Sequence, residues 1–126
     1  MITFTTTKPG PLMSLNDRQH HMAKARLTRT WREAAFWWAK QHKVRCHTDQ
    51  IVTVLVEFGT DRPNQRRDNS NVFPCVKAIC DGFTDAAVWP DDDSKHVATL
   101  EPRFVTDIAA NELRITLTWP DPKETS

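Results

Sequence analysis

The sequence has no tyrosine and only three glycines in 126 residues, far too little glycine for a collagen-like chain. No apolar run approaches the roughly 18 residues that cross a bilayer, so a membrane protein is not expected. The opening Met1-Ile2-Thr3-Phe4 lacks the basic start and apolar stretch of a secretory signal. Cysteine is sparse and odd in number. Cys46, Cys75 and Cys80 cannot all pair within one chain, which argues against a disulfide scaffold and for reduced thiols in a cytoplasm. Internal repeats, low-complexity tracts and domain linkers are also missing. What is present, 39% hydrophobic and 26% charged residues, fits one folded domain over 1–126, with 120–126 expected to fray.

A net charge of +1 conceals an asymmetry. Residues 1–67 hold 12 Lys and Arg against 5 Asp and Glu, whereas residues 68–126 hold 5 against 11. A basic half joined to an acidic half points to a polyanionic partner, with the carboxylates placed for another task.

Along the chain, Ile2–Thr7 alternates and is β-branched, as a strand requires. Lys8-Pro9-Gly10-Pro11 ends it, and 12–23 reads as an irregular loop with Asn16, Arg18, His20 and His21. From Ala25 to His42, Leu27, Trp31, Ala34, Ala35 and Trp38 form one helical stripe, opposite a basic face of Arg26, Arg29, Arg32 and Lys40. Trp37 lies off the stripe. Ile51–Phe58 is apolar on both faces apart from Thr53 and Glu57, which predicts a strand covered on both sides. A second helix is expected from Asn71 to Phe83, with Pro74 in its first turn and Ser70 or Asn71 as its cap. Val97–Val105 and Leu113–Trp119 read as the last strands, joined by a hairpin at Asp107–Asn111. The order is β-α-β-α-β-β, an α+β domain with two helices on a mixed sheet.

Chemistry concentrates between residues 66 and 93. Asp68 lies just before a helix start, Asp81 lies on that helix, and Asp91-Asp92-Asp93 form a turn beyond it. Such carboxylates repel unless solvated or shared with a hard cation such as Mg²⁺, for which Mn²⁺ can substitute. Lys77, six residues after Asn71, projects from the same helix and suits the charge of a scissile phosphate. Arg62, Arg66 and Arg67 flank this region and suit phosphate contacts, and Lys24, Arg26, Arg29 and Arg32 extend a basic track for a polyanion. Phe73 and Trp89 flank the motif, and core packing is the simpler reading of both.

The pattern Arg67-Asp68-x-x-Asn71, Lys77-Ala78-x-x-Asp81-Gly82, Trp89-Pro90-Asp91-Asp92 resembles the RusA family of Holliday-junction resolvases. Ser14-Leu15-Asn16 resembles that family's Ser-x-Asn loop, and Thr30-Trp31-Arg32-Glu33-Ala34 its first helix, so the likeness spans 11–119. It implies a small Mg²⁺-dependent endonuclease, commonly of phage origin, acting in DNA recombination and repair as a homodimer on four-way junctions. Carried over, Asp68 and Asp92 are catalytic carboxylates and Lys77 the catalytic lysine. Asp68, Asp91, Asp92 and the Ser70 position make up the metal site, with Asn71, Asp81 and Asp93 supporting it. Asn16, Arg18 and the basic residues above contact DNA. Two departures stand out. Ser70 occupies the place of the signature's second aspartate, and three extra residues separate Asn71 from Lys77. Asp93 or Asp81 could supply the missing carboxylate. The alternative function is a catalytically weakened RusA-fold protein that binds branched DNA or a protein partner without cutting.

Overall fold

The computed structural model describes residues 1–14, 21–46, 50–62, 69–89 and 97–120, with Asn69 and Ser70 described by backbone alone. The described elements run β1 (Ile2–Thr7), α1 (His21–Gln41), β2 (Val52–Gly59), a 3₁₀ turn (Asn69–Val72), α2 (Phe73–Asp85), β3 (Val97–Thr99), β4 (Arg103–Val105) and β5 (Glu112–Thr118). This is the expected α+β domain of two helices on a mixed sheet. The spatial order is β1-β5-β2-β3, with β4 following β3 along the same side of β2. The last strand, β5, lies antiparallel to both β1 and β2 and separates them. β3 and β4 run parallel to β2, as the α2 crossover requires.

The sheet's two faces differ sharply. Phe4 of β1, Val52, Val54, Val56 and Phe58 of β2, and Leu113, Ile115 and Leu117 of β5 are buried on one face. Both helices cover it. The other face carries Thr3, Thr5, Thr53, Leu55, Glu57, Arg114, Thr116 and Thr118, all exposed or half-buried. The expected two-sided cover of β2 is therefore corrected: the helices lie together on one side. On the open side Arg114 binds Glu57 at 2.9 Å and Asp107 at 2.7 Å. Those bonds keep Arg114 charged and hold the Asp107 carboxyl below its ordinary pKa, chiefly through the hydrogen bond from Arg114.

Four local expectations change. First, α1 begins at His21, inside the expected loop, because Ala23, Lys24, Ala25 and Arg26 are strong helix formers that extend the helix without needing the apolar stripe. Second, the first residue of α2 is Phe73 and its N-cap position is Val72, with no side-chain cap bond; the 3₁₀ turn feeds the helix instead, and Pro74 sits in the first turn as expected. Third, 97–105 is one edge strand in two pieces. Val52 pairs with Val97 and Glu57 with Arg103, so the register slips by one residue across Leu100-Glu101-Pro102. That is a bulge, and Pro102 has no N–H to give to a ladder. Fourth, 106–111 is no hairpin, since β4 and β5 lie on opposite sides of β2. The chain crosses over the end of β2, which is why Gly59 is there: a Cβ would overlap the Ala109 carbonyl oxygen. Lys8 ties this crossing down, donating from Nζ to the Gly59 carbonyl at 3.0 Å and the Ala110 carbonyl at 2.7 Å.

The helices pack through Trp31, Ala35, Trp38 and Ala39 of α1 and Cys75, Val76, Ala78, Ile79 and Phe83 of α2, all buried. Gly82 marks their closest approach, where a Cβ would strike the Arg32 carbonyl and lie 2.7 Å from Ala35 Cβ. Arg32 then spans to Asp85 at the end of α2, with Nε 2.6 Å and Nη2 2.9 Å from the two carboxylate oxygens. The pair is half exposed, so its contribution is at most about 1 kcal/mol. Gly82→Ala raises the helix propensity of α2 by about 1 kcal/mol, yet it should lower stability, because the overlap is with backbone. The expected fall in Tm is on the order of 5 °C. A calorimetric Tm above wild type would show that the helices do not meet there.

Candidate functional site

The outward residues of α2 recur at 73, 77, 80, 81 and 84, the second stripe of an amphipathic helix whose first stripe is core. Facing them are Trp89 and the edge strand β3. Val97 and Thr99 pair with the buried Val52 and Val54, so both turn to the helix side of the sheet. Between helix and strand lies a cleft of about 300 Å³, lined by Phe73, Lys77, Cys80, Asp81, Thr84, Trp89, Val97 and Thr99.

Its back wall is built rigidly. Ala87, at φ 59°, turns the chain at the end of α2. The Ala87 and Val88 amides then donate to the Thr84 and Phe83 carbonyls at 3.0 Å each, a Schellman-type closure usually given to glycine. Trp89 thereby folds back on the helix. Its Nε1 donates to Thr84 Oγ1 at 2.8 Å, Thr84 Oγ1 donates to the Cys80 carbonyl at 3.0 Å, and its ring meets Phe83 edge-on. Trp89 is buried, as core packing required. Phe73 is not: it is 39% exposed, which corrects the core reading for that residue.

Lys77 projects from the cleft wall with its side chain 69% exposed. Its Nζ lies 3.9 Å from Asp81 Oδ1, beyond hydrogen-bond distance, so the ammonium is free to turn toward an anion. Asn71 is half-buried in the 3₁₀ turn before α2. Met13 is pinned beside the first turn of α2. Its N–H donates to Cys75 Sγ at 3.1 Å, and that thiol donates back to the Met13 carbonyl at 3.7 Å. Trp31 Nε1 donates to the Pro11 carbonyl at 3.0 Å, which ties the segment before Met13 to α1.

The basic residues fall into two groups. Arg26 and Arg29 are exposed and Lys24 is half-buried, all on the first half of α1, and Arg62 is exposed beyond β2. Arg32, counted with them in the sequence, is instead engaged by Asp85, whose carboxyl its hydrogen bond holds below the ordinary value. Asp85 itself carried no signal in the sequence, because its partner lies 53 positions away.

Asp68, Asp91, Asp92, Asp93, Asn16, Arg18, Arg66 and Arg67 lie outside the described residues, as does the Ser70 side chain. Among the described residues no three His, Cys, Asp or Glu side chains converge on one point. Nor is any described helix long and apolar enough to cross a membrane. The walls Thr84, Cys80, Val97 and Thr99 had no place in the motif reading. Cys80 and Thr84 fall on the outward i, i+4, i+7, i+11 stripe from Phe73, legible as amphipathicity but not as a cleft; Val97 and Thr99, on β3, leave no such trace.

No protein-family model and no curated protein matches this chain.

None of the three cysteines forms a disulfide, and they differ in setting. Burial pushes Cys46 and Cys75 up to about 11, whereas Cys80 is half-buried on the cleft wall. Since thiolate is the reactive form, one thiol per native chain should react readily with a disulfide reagent at pH 8, and all three after denaturation. Loss of the fast-reacting thiol in Cys80→Ser identifies it. Rapid labelling of Cys75 in the native protein would contradict its packing against Met13.

Proposed function

We propose that this protein is a Mg²⁺-dependent, structure-selective endodeoxyribonuclease of the RusA type that resolves four-way DNA junctions by paired nicks. The observation that carries the reading is Lys77 on the wall of the α2 cleft, flanked in sequence by the acidic residues of the motif. Asp68 immediately precedes the 3₁₀ turn that leads into Phe73, and Asp91 and Asp92 follow Trp89 by two and three residues. The exposed Arg26 and Arg29 on α1 supply a second, phosphate-binding surface.

The donor chemistry fits a hard divalent cation. Asp81 is a carboxylate on the cleft, Asp68, Asp91 and Asp92 are further oxygen donors, and the thiols of Cys46 and Cys75 are protonated and buried. Asp68, Asp91 and Asp92 would hold Mg²⁺, with Asp93 or Asp81 in place of the carboxylate that Ser70 lacks. Held by those carboxylates, Mg²⁺ would supply electrostatic stabilisation to the phosphate as charge develops on it. Hydrolysis adds water to phosphorus as the bond to the leaving oxygen breaks. Lys77 stabilises the charge gained by that oxygen, and the arginines hold the flanking phosphates in register.

Ser70 in the signature aspartate position favours a second reading, a protein of this fold that binds branched DNA or a protein partner without cutting. One assay separates the two. Wild type should nick a synthetic four-way junction in paired positions with Mg²⁺ and be inert in EDTA. Asp92→Asn should bind without cutting, and Lys77→Met should lose on the order of 100-fold in rate. A wild type inert in both Mg²⁺ and Mn²⁺, with cutting gained by Ser70→Asp, would replace the first reading by the second.

Paired nicking needs two sites related by a two-fold axis, and one chain has one acidic motif, so we assign the active form as a homodimer. The sheet face that no described helix covers and the strands after Asp93 offer the surface, leaving α1 for DNA. Light scattering at micromolar protein should give about twice 14.5 kDa. A monomer that still makes two symmetric nicks would refute the assignment.

A further inference from the structure

The α2 cleft has more hydrocarbon on its walls than a phosphate contact requires. Its about 300 Å³ are bounded by Phe73, Cys80, Trp89 and Val97, and among the described lining residues only Lys77 and Asp81 are charged. A phosphate gains nothing from such walls, since burying it there removes water without replacing its hydrogen bonds. A flat aromatic ring gains from them. Phe73 stands at the first turn of α2, one helical turn before Lys77, and is left 39% exposed although the neighbouring Val76, Ile79 and Phe83 fill the core. The opposite wall is preformed, because the Thr84 hydroxyl accepts from Trp89 and donates to Cys80.

We propose that this cleft receives a single nucleobase unstacked from the DNA, its face against Phe73 and its flanking phosphate at Lys77. The inference rests on the reading of the protein as a nuclease of branched DNA, and names how that site meets its substrate. A base within a stacked duplex has both faces covered by its neighbours, so to lay a face on Phe73 it must leave the stack. Extrusion costs least where pairing is already broken, as at a branch point. The cleft thus favours branched over plain duplex DNA, independently of the chemistry at phosphorus. Stacking on an aromatic face tolerates any base.

The test uses the whole protein and a four-way junction carrying 2-aminopurine at the base flanking the branch point, with Ca²⁺ in place of Mg²⁺. Wild type should raise the fluorescence of the analogue as it leaves the stack. Phe73→Ala should abolish the rise and weaken junction binding on the order of ten-fold, while Phe73→Tyr restores both. Thr99→Phe, at an exposed position on the facing wall, should fill the slot and also abolish the rise; it decides alone if Phe73→Ala fails to fold. Nicking of the unlabelled junction in Mg²⁺ is measured in parallel. Nicking with a fluorescence rise that these variants do not alter, or with no rise, overturns the cleft and leaves the nuclease. A rise that depends on Phe73, without nicking, keeps the cleft and overturns the nuclease. Neither signal overturns both.

Discussion

The architecture depends on the insertion of β5 between β1 and β2. Leu113, Ile115 and Leu117 are fully buried, and each pairs on both sides, with Thr6, Phe4 and Ile2 of β1 and with Phe58, Val56 and Val54 of β2. β1 and β2 have no ladder of their own, so the sheet is not continuous until the chain's last strand is in place. That arrangement joins the two ends of the sequence, raises the mean separation of contacting residues and predicts slower folding than local pairing would give. It also explains why the crossing at 106–111 is so firmly tied. Lys8, Gly59, Glu57, Arg114 and Asp107 all act within the one stretch that carries the chain over the end of β2 to begin β5.

With the sheet assembled, α2 is positioned by close contact rather than by charge. Gly82 lets it lie directly on the backbone of α1, and the Arg32–Asp85 pair adds only a half-exposed tie at the far end. The thirteen residues of α2 are thereby divided between two tasks. Val76, Ile79 and Phe83 anchor the helix against rolling about its axis, which keeps Phe73, Lys77 and Thr84 on the side that borders the cleft. A binding wall of this kind is preorganised by the core behind it, which limits the ordering cost when something is bound.

Elements with strong local periodicity were legible in the sequence. The stripe of Trp31, Ala35 and Trp38, the alternation of Leu113, Ile115 and Leu117, and the Pro74 helix start all appear where the spacing predicts them. The misreadings share a cause: they turn on partners distant in sequence. An apolar β2 looks two-sided because Leu55 is apolar, yet Leu55 pairs with Thr116 on an open face. Residues 107–111 look like a hairpin because β4 and β5 are close in sequence, yet β2 separates them. Arg32 looks like part of a basic track until Asp85 is found against it. Of the candidate site, Lys77 and Asp81 could be placed from helical spacing. The slot they border could not, since half of it comes from β3 and from the backward turn at Ala87.

The register slip at Leu100-Glu101-Pro102 has a consequence for self-association. An exposed strand edge invites another strand to continue the sheet, and a bulge with a proline spoils that edge as a template. Here the β3–β4 side is interrupted in this way, while β1, with six residues and no charge, is uninterrupted. Among the described residues, strand-to-strand growth is therefore open on one side only. A sheet that can be extended from a single side joins at most one other like itself, so copies pairing by that route stop at two and cannot run on into fibres.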